Sequence, residues 1–146
     1  MRLKKALSTI MATLALTCCV TVPVLAEQKT ETFHVYLGGG SDVSSQSARK
    51  DVGGGMWYNV KEAPGTSITW VQGVETVNLR GRTSAGTKCT ALAQRSTRGT
   101  GIMKYYSGYG VMGNRYKIAV QYDSDNPYQH LELQCSWIPL HYIARC

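Results

Sequence analysis

Two alternating runs near the C-terminal end constrain the fold of this chain more than any other feature. Tyr116 to Tyr122 reads Tyr-Lys-Ile-Ala-Val-Gln-Tyr, and His130 to Trp137 reads His-Leu-Glu-Leu-Gln-Cys-Ser-Trp. Side chains alternate across a strand, so Tyr116, Ile118, Val120 and Tyr122 share one face. Leu131, Leu133, Cys135 and Trp137 do the same in the second run. Lys117, Gln121, Glu132 and Gln134 fall on the opposite faces, which can meet water. Between the runs lies Asp123-Ser124-Asp125-Asn126-Pro127, a cluster of turn formers. The stretch Arg115 to Pro139 is therefore expected to be a β-hairpin whose apolar face closes a core.

The preceding segments continue the pattern. Thr32 to Leu37 is expected as a first strand, with Phe33, Val35 and Leu37 on one face. Gly38-Gly39-Gly40 stops it, and Ser41 to Lys50 reads as a polar loop. Met56 to Val60 is a second strand and Ser67 to Gln72, around Trp70, a third. Glu75 to Arg82 alternates with Val77 and Leu79 inward and Asn78 and Arg80 outward. Ser84-Ala85-Gly86 is a tight connection to the return run Thr87 to Gln94, giving a second hairpin. Gly99 to Gly113 holds many glycines, which argues against a helix and for a long crossover between sheets. No helical periodicity follows residue 26. Short strands at this spacing predict an all-β fold, a single antiparallel β-sandwich of about 6–8 short strands.

The N-terminal residues bear on compartment. Met1-Arg2-Leu3-Lys4-Lys5 is basic, and Ala6 to Ala26 is uncharged and largely apolar. Val24-Leu25-Ala26 places small residues where a signal-peptide cleavage site wants them. Pro23 and the small-residue end speak against a membrane span, and neither Cys18 nor Cys19 follows the small residue that a lipid-acylation site prefers. The expected organisation is a signal peptide over residues 1–26 and one secreted β-sandwich domain over 27–146, free or associated with the cell surface. The whole chain carries 16 basic and nine acidic residues, a formal +7. The leader holds three of the basic ones, so the remainder has a net charge of +4. That surplus suits anionic envelope polymers or membranes and is too mild to argue for nucleic acid.

Removal of the leader leaves Cys89, Cys135 and Cys146. Cys89 and Cys135 both lie in alternating segments, where an inter-strand or inter-sheet disulfide is geometrically possible, and closing that loop would be worth roughly 4 kcal/mol. Cys146 offers a rival pairing, and two buried free thiols are an ordinary alternative. Chemistry is otherwise poorly represented. His34, His130 and His141 belong to no metal-ligand pattern, so no metal or other cofactor is expected. Asp123-Ser124-Asp125-Asn126 lacks the glycine and distal glutamate of a calcium loop. No nucleophile elbow or phosphate loop is present. These readings favour a non-enzymatic protein with no catalytic residue, over a hydrolase assembled from distant groups such as His34, His130 and an acid.

The best binding candidate is Lys104-Tyr105-Tyr106-Ser107-Gly108-Tyr109, with Arg98 close in sequence. Tyr105, Tyr106 and Tyr109 on a glycine-flanked loop can offer flat amphipathic rings to a sugar, a lipid headgroup or another protein. The competing reading has one or two of these rings plugging the open end of the sandwich.

The leader, the Phe-x-Val strand, the run Gly99-Thr-Gly-x-x-Lys-Tyr-Tyr-Ser-x-Tyr109 and the closing Ser136-Trp137 together resemble small secreted proteins of Gram-positive bacteria grouped as a domain of unknown function. The resemblance implies a secreted β-domain and supplies no activity. The expectation is thus an exported domain that binds a cell-envelope polymer, a membrane surface or another protein. A secreted antimicrobial (bacteriocin-like) or toxin-like protein is the alternative.

Overall fold

The computed structural model describes residues 27–36, 39–66, 70, 73–123 and 130–139. The expected leader, Cys146, His141, most of the expected third strand and the turn after Asp123 lie outside these residues. Among the described residues nine strands form two antiparallel sheets, and there is no helix. The strands are β1 (Lys29–Tyr36), β2 (Asp42–Val43), β3 (Ala48–Arg49), β4 (Met56–Glu62), β5 (Thr76–Thr83), β6 (Ala93–Arg95), β7 (Gly99–Met103), β8 (Arg115–Asp123) and β9 (His130–Ile138). One sheet runs β1-β9-β4-β7. The other runs β2-β8-β5-β6, with β3 also paired to β8.

The all-β sandwich read from the alternation is the observed fold, but its central hairpin is not. β8 and β9 lie in different sheets. β9 pairs with β1 on one side (Phe33 opposite Leu133) and β4 on the other (Val60 opposite Cys135). β8 pairs with β5 (Leu79 opposite Val120) and with β2 and β3. The inward faces were read correctly. Ile118 and Val120 of β8 and Leu133 and Trp137 of β9 are all buried in one core cluster. Two adjacent apolar-faced strands can bury their faces side by side in one sheet or face to face across two. Here each strand is central to its own sheet, so each has a buried face and two paired edges.

The second expected hairpin holds with an irregularity. Gly86 N–H donates to Thr83 O at 2.9 Å, closing the turn. Arg82 faces Lys88 and, further on, Leu79 faces Ala93, so the return strand carries extra residues in between. Those residues cross to the other sheet: Ala91 N–H donates to Lys104 O and Tyr106 N–H to Cys89 O. The polar loop 41–50 contains the two-residue strands β2 and β3, which raise the count to nine. Between them Ser44 stands in for strand backbone, its Oγ accepting from Ile118 N–H at 3.2 Å.

The expected Cys89–Cys135 disulfide is absent. Both are buried free thiols, Cys89 at the crossing segment and Cys135 in the centre of the opposite sheet. They sit among different neighbours, Cys89 near Arg82 and Tyr105 and Cys135 near Tyr58. Each instead behaves as a small core hydrophobe. Trp70 caps the core, its Nε1–H donating to Glu75 O at 2.8 Å, while Tyr122 Oη donates to the buried Glu75 carboxylate at 2.7 Å.

Candidate functional site

The run expected to be one long crossover divides into two parts. Its first half is β7, the edge strand that pairs with β4 from Met56–Met103 to Val60–Gly99. Glycine at 101 serves this pairing, because its cross-strand neighbour Tyr58 lays its ring over the position that a Cβ would occupy. The second half, 104–113, leaves the sheet as the candidate loop.

Alternation sorts the loop's first residues. Lys104 and Tyr106 point to solvent and Tyr105 turns in. The Tyr105 ring packs on Tyr116, centroids 5.1 Å apart, and its Oη donates to Pro139 O at 2.9 Å. Lys50, only 1% exposed, places Nζ 4.9 Å from the Tyr105 ring centroid and donates to Gly54 O and Pro139 O. Burial pushes the Lys50 ammonium down from its ordinary value, and burial, with Cys89 and Tyr116 alongside, pushes the Tyr105 phenol up. Tyr105 therefore occupies the plugging position weighed in the sequence.

Beyond Tyr105 the backbone is pinned. Tyr109 N–H donates to Tyr106 O at 3.0 Å, Val111 N–H to Tyr116 Oη at 2.9 Å and Gly113 N–H to Lys50 O at 2.7 Å. Gly110 has φ +75°, and a Cβ there would lie 2.7 Å from the Tyr105 ring, so both conformation and space call for glycine. The result is a held backbone with outward side chains: Tyr106 is 44% exposed, Tyr109 39%, Val111 51% and Met112 64%. Val111 and Met112 were not singled out in the sequence. Their signal was two apolar residues between Gly110 and Gly113, with no strand pattern to bury them.

Arg98 is not part of this cluster. It precedes β7 while the loop follows it, so roughly 20 Å of extended chain separates Arg98 from Lys104. Its Nη1 pairs with Glu62 at 3.5 Å. The structure thus brings Lys104, Tyr106 and Tyr109 to one exposed loop, turns Tyr105 beneath it and holds Arg98 at the far end of β7. Of the histidines, His34 Nδ1 meets its cross-strand partner Glu132 at 3.3 Å on the open outer face of the four-stranded sheet. His130 stacks on Tyr36. Among the described residues no group of three His, Cys, Asp or Glu side chains is placed to hold a metal. In comparisons with known proteins, no protein-family model, curated protein or solved structure matches this chain.

Proposed function

We propose that the chain is an exported, non-enzymatic domain that binds a component of a cell envelope through the loop 104–113. The observation that carries the reading is the outward display of Tyr106, Tyr109, Val111 and Met112 on a backbone hydrogen-bonded to β8 and Lys50. A held loop loses little conformational entropy on binding, so its contacts convert more fully into affinity. Tyrosine rings offer apolar faces and a hydroxyl to sugars and headgroups, and Lys104 beside them favours an anionic surface. The basic, then apolar, leader ending Val24-Leu25-Ala26 supports export. The likeness in layout to small secreted Gram-positive proteins points the same way.

The test mixes purified protein with intact Gram-positive cells and follows the fraction that sediments together with the surviving colony count. Sedimentation with unchanged survival is the expected result. Loss of colonies would replace this reading with the antimicrobial or toxin-like one. Protein that stays in the supernatant while cells survive would contradict envelope binding and direct the search to a soluble partner.

A further inference from the structure

The outer face of the five-stranded sheet carries a concave feature that shares no residue with the loop. Because Val77, Leu79 and Gly81 face the core, β5 presents Asn78, Arg80 and Arg82 outward. The strand register sets them beside Gln121, Ala119 and Lys117 of β8. Ala119 is small and forms a floor, while Lys88, Leu92 and Ser41 raise walls around a cleft of about 310 Å³. Small-ligand pockets begin at about this volume.

Positive charge is in excess here. Among the described residues, none of Arg80, Arg82, Lys88 and Lys117 makes an ion pair. Arg82 is held by neutral acceptors, Gly86 O at 3.0 Å and Ser41 Oγ at 3.1 Å, which aim its guanidinium without neutralising it. Asp123 reaches the lining through the amides of Asn78 at 2.9 Å and Gln94 at 3.4 Å, and its single negative charge offsets only part of the four positive ones. Like charges crowded on one face repel, and a bound anion relieves that repulsion.

Among the described residues, three buried polar atoms of this lining have no partner: Arg80 Nε, Arg82 Nε and Asn78 Oδ1. Native structures rarely leave such atoms unmatched. The two arginine N–H groups call for acceptors, and their guanidinium charge favours an anionic one. Asn78 is different, because its amide nitrogen is committed to Asp123, so its oxygen waits for a donor such as a hydroxyl.

We infer that this cleft binds a phosphorylated polyol, with the phosphate on Arg80, Arg82 and Lys88, a hydroxyl on Asn78 Oδ1 and the carbon skeleton against Leu92. Arginine forks match phosphate oxygens, and inorganic phosphate alone would leave the apolar wall at Leu92 unused.

Titration calorimetry of the purified full chain with glycerol 3-phosphate, inorganic phosphate and glycerol, at one fixed low ionic strength, tests this. Glycerol 3-phosphate is expected to bind at one saturable site, phosphate more weakly and glycerol not at all. Arg80→Gln should weaken glycerol 3-phosphate at least about tenfold with an unchanged melting temperature, since Arg80 has no partner to lose among the described residues. Asn78→Ala should reduce glycerol 3-phosphate to the affinity of phosphate and leave phosphate unaffected. Sedimentation with phosphatidylglycerol vesicles, displaced by glycerol 3-phosphate, would support the site and name a lipid headgroup as the source. Calorimetric binding without vesicle binding would support it with a soluble or polymer-borne ester as the source. Absence of saturable heat with glycerol 3-phosphate, or equal affinity in a folded Arg80→Gln protein, would overturn the proposal. Tyr106→Ser/Tyr109→Ser should bind glycerol 3-phosphate normally, so failure of the loop reading and failure of this one are separable.

Discussion

Tyr105 and Tyr106 are neighbours in the chain and opposites in environment. Tyr105 Oη donates to Pro139 O and its ring supports Tyr116, Lys50 and Gly110. Tyr105→Phe should therefore cost about 1 kcal/mol and Tyr105→Ala roughly 3 kcal/mol, read from urea midpoints. Tyr106→Ala should stay within about 0.5 kcal/mol of the parent. Equal losses at the two positions would contradict the inward placement of Tyr105. Cys89 makes a second residue-level claim. Burial, opposed by the Arg82 charge, pushes its thiol from an ordinary value near 9 up to about 12. Between those values the unfolded chain has released a proton that the folded chain retains, so stability falls as pH rises. Burial also raises Cys135, Tyr105 and Tyr58, which act with the same sign. Lys50, pushed down by burial, acts against them, because its unfolded ammonium keeps a proton that the folded one gives up. Two thiols and two phenols act in one direction and a single ammonium in the other. The urea midpoint under reducing conditions should fall between pH 9 and 12, and more gently in Cys89→Ala; parallel slopes would refute the assignment.

The element that misled the sequence reading is the pair β8 and β9. Alternation reports which side chains share a face, a local property, whereas partner choice depends on strands far away in sequence. Four residues on each strand were assigned to the correct face, yet the partners of β9 are β1 and β4. Cross-linking separates the two topologies. Thr30 and Ser136 are register partners whose hydroxyls meet at 2.8 Å, so Thr30→Cys/Ser136→Cys should oxidise to an intramolecular disulfide. Gln121 and Glu132 would be close in a β8–β9 hairpin, but here they lie on outer faces of sheets stacked about 10 Å apart, so Gln121→Cys/Glu132→Cys should not. The glycines were misread for a related reason. Gly101 looks like a strand breaker until Tyr58 covers it, and that contact crosses from β7 to β4. Gly81, inside a run correctly read as a strand, likewise sits where a side chain would not fit. A Cβ there would lie 2.5 Å from Thr90 Cγ2 and 3.0 Å from Met56 Cε, so Gly81→Ala should cost roughly 1–3 kcal/mol in thermal or urea unfolding. β2 and β3, at two residues each, are too short for any alternation to register.

At the scale of the whole molecule, the sandwich acts as a rigid frame that displays a loop at the end of one sheet and a basic cleft on the face of the other. The loop was partly legible: a tyrosine-rich run between glycines stands out, although which ring turns inward depends on packing against Tyr116 and Lys50. The cleft was not legible, because Arg80, Lys88 and Gln121 are scattered along the chain and meet only through strand register. Under the proposed function, the loop side chains bind while the frame holds the fold. The most direct measurement compares the cell-bound fraction of the parent with that of Tyr106→Ser/Tyr109→Ser/Met112→Ser, alongside both melting temperatures. The variant should melt within about 2 °C of the parent, as exposed substitutions should, and remain in the supernatant. A folded variant that sediments with cells as fully as the parent would contradict it.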